Sequence, residues 1–287
     1  MFRPLFSIGG VFLILLICVA IVWLVAYLSY RRHMVEAETV WLKIADRANS
    51  AVQTYDPAMV ANLPEIAQRY FNHAIAPGTP LSTTVELRME GRFHLGDKDK
   101  FQTFRMRARQ ILTAPKEFVW RADMNFGPMM ISGSDGFYGG HGWTRFWLFG
   151  SVPLVQGAGS PDLDRSAAAR PALETVWVPA ALLPQNGARW EHVTEDKVKV
   201  ILDAAGTRTE VFLTLAETGR VMEVVTQRWS DANREKIFQL QFFGGTMDDE
   251  TRFGGFTIPS LVRVGNHYGT EDYFTFFDGR IVAATYR

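Results

Sequence analysis

The chain has 287 residues, 30 Lys and Arg balanced by 30 Asp and Glu, a hydrophobic fraction of 47% and a single cysteine. That length and apolar content give one large domain or two modest ones with a real core, and exclude a disordered chain. A lone cysteine excludes a disulfide framework and a cysteine-based zinc site, and a net charge of zero gives no reason to expect nucleic acid as a partner.

No charged residue lies between Arg3 and Arg31. The densest part, Ile8 to Leu28, measures about 31 Å at 1.5 Å per residue, against a bilayer hydrocarbon core of roughly 30 Å. A secretory signal has a shorter apolar core and a small-x-small cleavage site. Ala26-Tyr27-Leu28 is not one, and the bulky Ile17 before Cys18 argues against lipoprotein processing. Residues 1–32 therefore read as an uncleaved single-pass anchor, in the lipid bilayer through residues 5–30, with Trp23, Tyr27 and Tyr30 near one interface. Arg31, Arg32, Lys43 and Arg47 behind the span favour a cytoplasmic body by the positive-inside rule. A single N-terminal anchor on a β-rich body favours the opposite side, so the expectation is an inner-membrane protein with its soluble part on the periplasmic or outer face.

Residues 33–62 read as a helical linker. Val40, Ile44 and Ala48 form one stripe in a helix over Glu36–Gln53, and Asp56-Pro57 breaks it. A second helix opens near Pro64, carries Ile66, Tyr70 and Phe71, and ends before Ala76-Pro77-Gly78-Thr79-Pro80. From Thr83 the period switches to two. Val85, Leu87, Met89, Phe93 and Leu95 alternate with charged neighbours, as do Phe104, Met106 and Ala108 after a turn at Gly96–Lys100. These are two strands of a hairpin. Odd positions of the first must oppose even positions of the second, and one register doing so sets Glu90 opposite Arg105 and Glu86 opposite Arg109. The row Arg105, Arg107, Arg109 is then a solvated salt ladder in preference to an anion site.

Further strands are expected at Phe118–Met124, Met129–Ser132, Phe137–Phe149, Arg189–Thr194, Val198–Ala204, Thr209–Leu215, Val221–Trp229, Lys236–Phe243, Thr257–Tyr268, Tyr273–Phe277 and Ile281–Thr285. Turns fall at Asp203–Gly206, Glu217-Thr218-Gly219 and Asp278-Gly279. Strands without interleaved helices make an antiparallel sheet, and so many of them must curl or close. A helical interlude at about 161–183, with Asp164 as a cap, Pro171 opening a second turn and Pro179 ending it, covers an open face or plugs a barrel mouth. The fold class is mainly β: a strongly curved antiparallel sheet, half-barrel or barrel, as one domain over 63–287, with N-terminal helices and one helical insertion, preceded by a transmembrane helix.

Chemical motifs are sparse. Ser134–Trp143 is rich in glycine but has no phosphate-loop lysine and leads into aromatic strand residues, so it reads as a tight turn with bulges. Ile131–Gly136 has the residue types of a nucleophile elbow at the wrong spacing. His33, His73, His94, His141, His192 and His267 show no metal-ligand spacing, and Asp248-Asp249-Glu250 reads as a solvated turn. No catalytic, cofactor-binding or metal site is legible, and the reading leans away from an enzyme. Aromatic weight remains: Trp120, Tyr138, Trp143, Trp147 and Trp177 crowd the middle of the chain, as core filler or as the lining of an apolar cavity.

The strand Phe104–Gln110, Phe118-Val119-Trp120, Asp135–Gly142 and, above all, Glu174-Thr175-Val176-Trp177-Val178-Pro179-Ala180-Ala181-Leu182-Leu183 resemble an uncharacterised bacterial family of membrane-anchored proteins known as a domain of unknown function. The resemblance covers the chain from about Leu63 onward and brings no catalytic residues. More loosely, anchor, meander and plug resemble the lipoprotein-carrier (LolA/LolB-like) half-barrels, which hold acyl chains on a concave face; that implies an envelope protein binding a lipid or other hydrophobic small molecule through those five aromatic residues. A structural or interaction module of a membrane complex, and a hydrolase assembled from distant strands, are the alternatives.

Overall fold

The structure, a computed structural model, describes residues 8–48, 53–204 and 206–287. Positions 5–7 of the expected span, 49–52 of the expected linker helix and Ala205 of one expected turn lie outside them. Helix α1 runs unbroken over Ile8–Arg47, so no interruption falls between the apolar stretch and the helix expected after it. None of its most apolar stretch is buried, whereas Ala37, Trp41 and Ile44 on one stripe of its second half are. Helix α2 (Glu65–Ala74) follows Pro64 and buries Ile66, Ala67, Tyr70 and Phe71.

Thirteen strands follow: β1 (Thr84–Gly96), β2 (Phe101–Thr113), β3 (Glu117–Phe126), β4 (Met129–Tyr138), β5 (His141–Leu148), β6 (Val152–Ala158), β7 (Arg189–His192), β8 (Lys197–Ala204), β9 (Thr207–Leu215), β10 (Val221–Ser230), β11 (Gln239–Phe253), β12 (Phe256–Asn266) and β13 (Phe274–Tyr286). They form one open antiparallel sheet in the order β6-β5-β4-β3-β2-β1-β13-β12-β11-β10-β9-β8-β7, a half-barrel. Each arm is a plain meander, and the two meet where β1 pairs with β13. The chain passes from one free edge, β6, to the other, β7, through the insertion: α3 (Pro161–Ala168), α4 (Arg170–Leu173) and 3-10 turns at Glu174–Trp177, Pro179–Leu182 and Pro184–Asn186. Its apolar residues fill the concavity, with Ala172, Leu173, Val176, Val178 and 180–183 all buried in the main core. Three hydrogen bonds pin it to its surroundings. Trp177 Nε1–H donates to Pro259 O at 3.1 Å, Trp190 Nε1–H to Leu182 O at 2.8 Å, and Tyr286 O–H to Trp177 O at 2.9 Å.

Four local expectations are corrected. The β1–β2 pairing keeps the expected parity but slides by two residues, so Glu90 faces Arg107, Arg88 faces Arg109 and Glu86 faces Ile111. The strands stay paired as far as Gly96 and Phe101, and the loop between them is closed by Asp97, whose carboxylate accepts the N–H groups of Asp99 and Lys100. Loop length thereby sets the register. Asp278-Gly279 is no turn: β13 runs through it, because Gly279 lies opposite Gly91 and a Cβ on Gly91 would come within 2.1 Å of Asp278 O. The acidic trio is likewise no turn but an irregular stretch of β11, and each carboxylate has a partner there: Asp248 with Arg263, Asp249 with Arg280, Glu250 with the His73 ring. Finally, α3 begins at Pro161, before Asp164, whose carboxylate accepts from Gly142 N–H at 2.7 Å instead. The glycine-rich stretch does form a two-residue turn, with Gly139 and Gly140 at φ 59° and 87° between the paired Tyr138 and His141.

Candidate functional site

Alternation along the strands decides which side chains meet the insertion. In β1 the odd positions turn inward, giving Met89 and Phe93; in β3 the even ones do, giving Trp120. With Phe146, Val224, Phe243, Met247, Val264, Phe276 and Phe277 from five further strands, and Leu173, Val176 and Trp177 from the insertion, they line an apolar cavity of about 140 Å³. The aromatic rings pack in tilted pairs: Phe93–Trp120 at 6.1 Å, Phe93–Phe276 at 5.5 Å, Trp120–Phe146 at 6.1 Å.

One wall of this cavity is charged. Arg170 of α4 donates through Nε to Glu174 Oε1 at 2.6 Å and through Nη1 to Asp135 Oδ2 at 2.5 Å, and contacts Gln110 Oε1 at 3.3 Å. Gln110 Nε2 donates to Glu174 Oε2 at 2.5 Å, and Thr144 Oγ1 to Asp135 Oδ1 at 3.0 Å. All four carboxylate oxygens are thus occupied. Although burial opposes its charge most strongly, the two carboxylates raise the Arg170 guanidinium above its ordinary pKa. Arg228, from β10, lines the same cavity, donates from Nε to Ser166 O at 3.2 Å and lies over the Phe243 ring. No motif announces this group, since its members come from positions 110, 135, 144, 170, 174 and 228. The one sequence signal is Arg170 and Glu174 at i, i+4 in an otherwise apolar stretch.

The structure brings Trp120 and Trp177 together in the cavity wall. It puts Tyr138, Trp143 and Trp147 on the opposite face of the sheet, where the second half of α1 lies. Tyr138 and Trp143 pack beside Ala37, Trp41 and Ile44, and Trp147 meets Tyr30 and His33 at 5.5 and 5.2 Å. Both faces of β4 are buried as a result, so burial alone could not have sorted these residues. A transverse row on that outer face reads Arg88, Arg109, Arg121, Ser134, Arg145 over β1 to β5. Glu38 of α1 bridges Arg109 and Arg121. The expected salt ladder is therefore shared between a neighbouring strand, through Glu90–Arg107 at 3.7 Å, and the helix.

His33 Nε2 lies 2.7 Å from Ser134 Oγ, which also accepts from Trp143 Nε1–H at 2.9 Å. Burial, reinforced by the charge of Arg145, lowers the imidazole pKa to about 4. The pair has the distance of a nucleophile and its base. Ser134 is fully buried and, among the described residues, no carboxylate is hydrogen-bonded to His33, so the contact serves to clasp the helix. Of the other histidines, His141 stands 3.6 Å from Asp164 and His73 2.7 Å from Glu250. Among the described residues no group of three His, Cys, Asp or Glu is placed to hold a metal ion.

Fold and site together define a plugged half-barrel with an apolar cavity, clasped from outside by the second half of a long helix whose first half is apolar. The chain belongs to DUF6544, a family of unknown function, whose profile matches residues 53–279. No curated protein matches it. Among solved structures it is similar to a LolA superfamily protein from Nitrosomonas europaea (8% identity, 77% of this chain and 92% of that one, TM-score 0.40). It is also similar to a DUF1329 family protein from Desulfovibrio piger (11% identity, 81% and 94%, TM-score 0.39).

Proposed function

We propose that this protein is a membrane-tethered binder of a hydrophobic small molecule or lipid chain, held in the cavity between the insertion and the concave face. The observation that carries the reading is that cavity: a partly open space within the core, walled by Trp120, Phe93, Phe146, Phe276, Val176 and Trp177. An engineered apolar cavity of about 150 Å³ stays dry and takes up benzene, so a space of this size suits one short chain or ring, and a longer tail requires the insertion to yield.

The apolar part of α1 is read as a retained anchor, with the half-barrel on the periplasmic or outer face. Its helix leaves that stretch beside the β5–β6 hairpin, where a Cβ on Gly150 would come within 3.3 Å of Tyr30. Phe126, Met130, Phe149, Val152 and Leu154, on the hairpin tips at this end of the sheet, are exposed. Exposed apolar tips beside an anchor suit contact with the bilayer surface, which puts the half-barrel where a membrane-derived ligand is at hand. An interaction module is the second reading, favoured by the free edge β6 with Val152, Leu154 and Val155 exposed.

The test is native mass spectrometry of the full chain extracted from membranes, wild type beside Val176→Trp, which fills the cavity, and Trp143→Phe, which alters only the outer face. The expected result is an apolar adduct of defined mass on wild type and Trp143→Phe and none on Val176→Trp. A wild type with no adduct and no uptake of added hydrophobic probes overturns the reading.

A further inference from the structure

The cavity wall has a surplus of donors. Asp135 and Glu174 have every carboxylate oxygen engaged by Arg170, Gln110 or Thr144. Arg170 in turn uses Nε, Nη1 and Nη2 on its three acceptors. Arg228 does not share in this arrangement. Its hydrogen bonding among the described residues is the single donation from Nε to Ser166 O, and no carboxylate of those residues stands within ion-pair distance of it. Its two terminal nitrogens, the fork of the guanidinium, are left without protein acceptors in the lining of an apolar cavity. Trp120, on the same wall, has a buried indole N–H with no acceptor among the described residues. A half-buried cation in an apolar lining and a buried donor both gain from an acceptor that the protein itself does not supply. A neutral hydrocarbon offers neither of them anything.

Resting on the apolar-cavity reading above, we infer that the ligand is an amphiphile with an anionic oxygen head, a carboxylate or a phosphate, seated on the Arg228 fork with its hydrocarbon part among the aromatic rings. A guanidinium matches two oxygens of either head bidentately, and the apolar surroundings keep water from competing. Arg170 is a positioning residue for this site. By holding Asp135 and Glu174 it keeps both carboxylates off Arg228, which leaves the fork to an incoming anion. Burial pulls the Arg228 guanidinium below its ordinary pKa and the nearby Arg170 charge adds to that, while the charges of Asp135, Glu174 and Asp231 offset part of it from beyond ion-pair distance; a bound anion opposes the net fall.

The experiment uses the full chain in phosphatidylcholine nanodiscs, with empty nanodiscs as blank, and four six-carbon probes: hexanoate, hexyl phosphate, hexan-1-ol and hexylammonium. Binding is followed by NMR of the probes. At least one of the two anions should bind ~10-fold or more tightly than hexan-1-ol, the scale expected of one charge-assisted contact, and hexylammonium should bind weakest. Hexanoate in the lead marks a fatty-acid-like ligand, hexyl phosphate a lipid-phosphate head. Arg228→Gln should abolish that preference and leave hexan-1-ol binding unchanged, and Arg228→Lys should restore part of it, which also guards against a folding defect in the first variant. Anions binding no better than hexan-1-ol, or Arg228→Gln weakening both alike, overturns the inference while the apolar cavity stands. Failure of all four probes overturns both.

Discussion

The two faces of the β1–β5 arm are both buried, by different means and to different ends. On the concave side the insertion supplies apolar side chains, and charge is gathered into one compact group in which Arg170 takes two carboxylates. On the convex side the second half of α1 lies over a row of arginines, held by Glu38 and by the His33–Ser134 contact. The inner charges are few and enclosed. The outer ones are many and half-exposed. A dry charge group makes a wall rigid and specific, whereas a wet one makes a joint that salt and pH can loosen.

The largest effect should come from breaking the inner group. Glu174→Ala leaves Arg170 with half its counter-charge in a dry setting and should cost about 3–5 kcal/mol, read as a fall in the urea midpoint, with loss of any bound adduct. The same stability on substitution would mean that the wall is wetter than its burial indicates. Next comes acidification of the outer joint. The unfolded imidazole of His33 protonates near pH 6.5 and the folded one near 4. Its contribution is complete above pH 6.5 and is lost as the pH falls towards 4, by on the order of 3 kcal/mol. Hydrogen exchange at residues 33–47 should rise over that window, and His33→Gln should flatten the response while the cavity keeps its ligand. The smallest effect belongs to Glu38→Gln. Its pairs with Arg109 and Arg121 are partly exposed and should yield about 1 kcal/mol or less, shrinking further in 0.5–1 M salt. A thermal melt in low and high salt checks this, and equal shifts at both would assign the loss to packing.

Much of this architecture was legible because it follows from spacing. Period-two alternation at Val85–Leu95 and Phe104–Ala108, and the break at 161–183, led to a curved antiparallel sheet with one helical insertion, and the structure decides that the sheet stays open. What was not legible depends on partners far along the chain. The slide of two residues between β1 and β2 was decided by Asp97 closing its own loop. Strand β13 passes through Asp278-Gly279 because Gly91 lies opposite, 188 positions away. Of the five aromatic residues singled out, Trp120 and Trp177 meet in the cavity. Tyr138, Trp143 and Trp147 are equally hydrophobic in sequence, and only the course of α1 over β4 and β5 shows that their burial belongs to the helix. The Arg170–Glu174–Asp135 group was nearly invisible for the same reason: beyond the i, i+4 spacing of Arg170 and Glu174 in an apolar stretch, nothing local points to Asp135, Gln110 or Arg228.

The seam between β1 and β13 has a consequence for how the chain comes to be made. Every other neighbouring pair in the sheet joins strands consecutive in sequence, which form as soon as both have left the ribosome. The seam joins the first strand to the last. Until synthesis reaches the 274–286 segment, β1 has one bare edge and the half-barrel exists as two unjoined arms, so closure of the core is a late, long-range event of the slow kind. A nascent chain stalled before residue 274 should expose its apolar faces, bind holding chaperones and be cut readily by proteases, and should lose all three properties together on release.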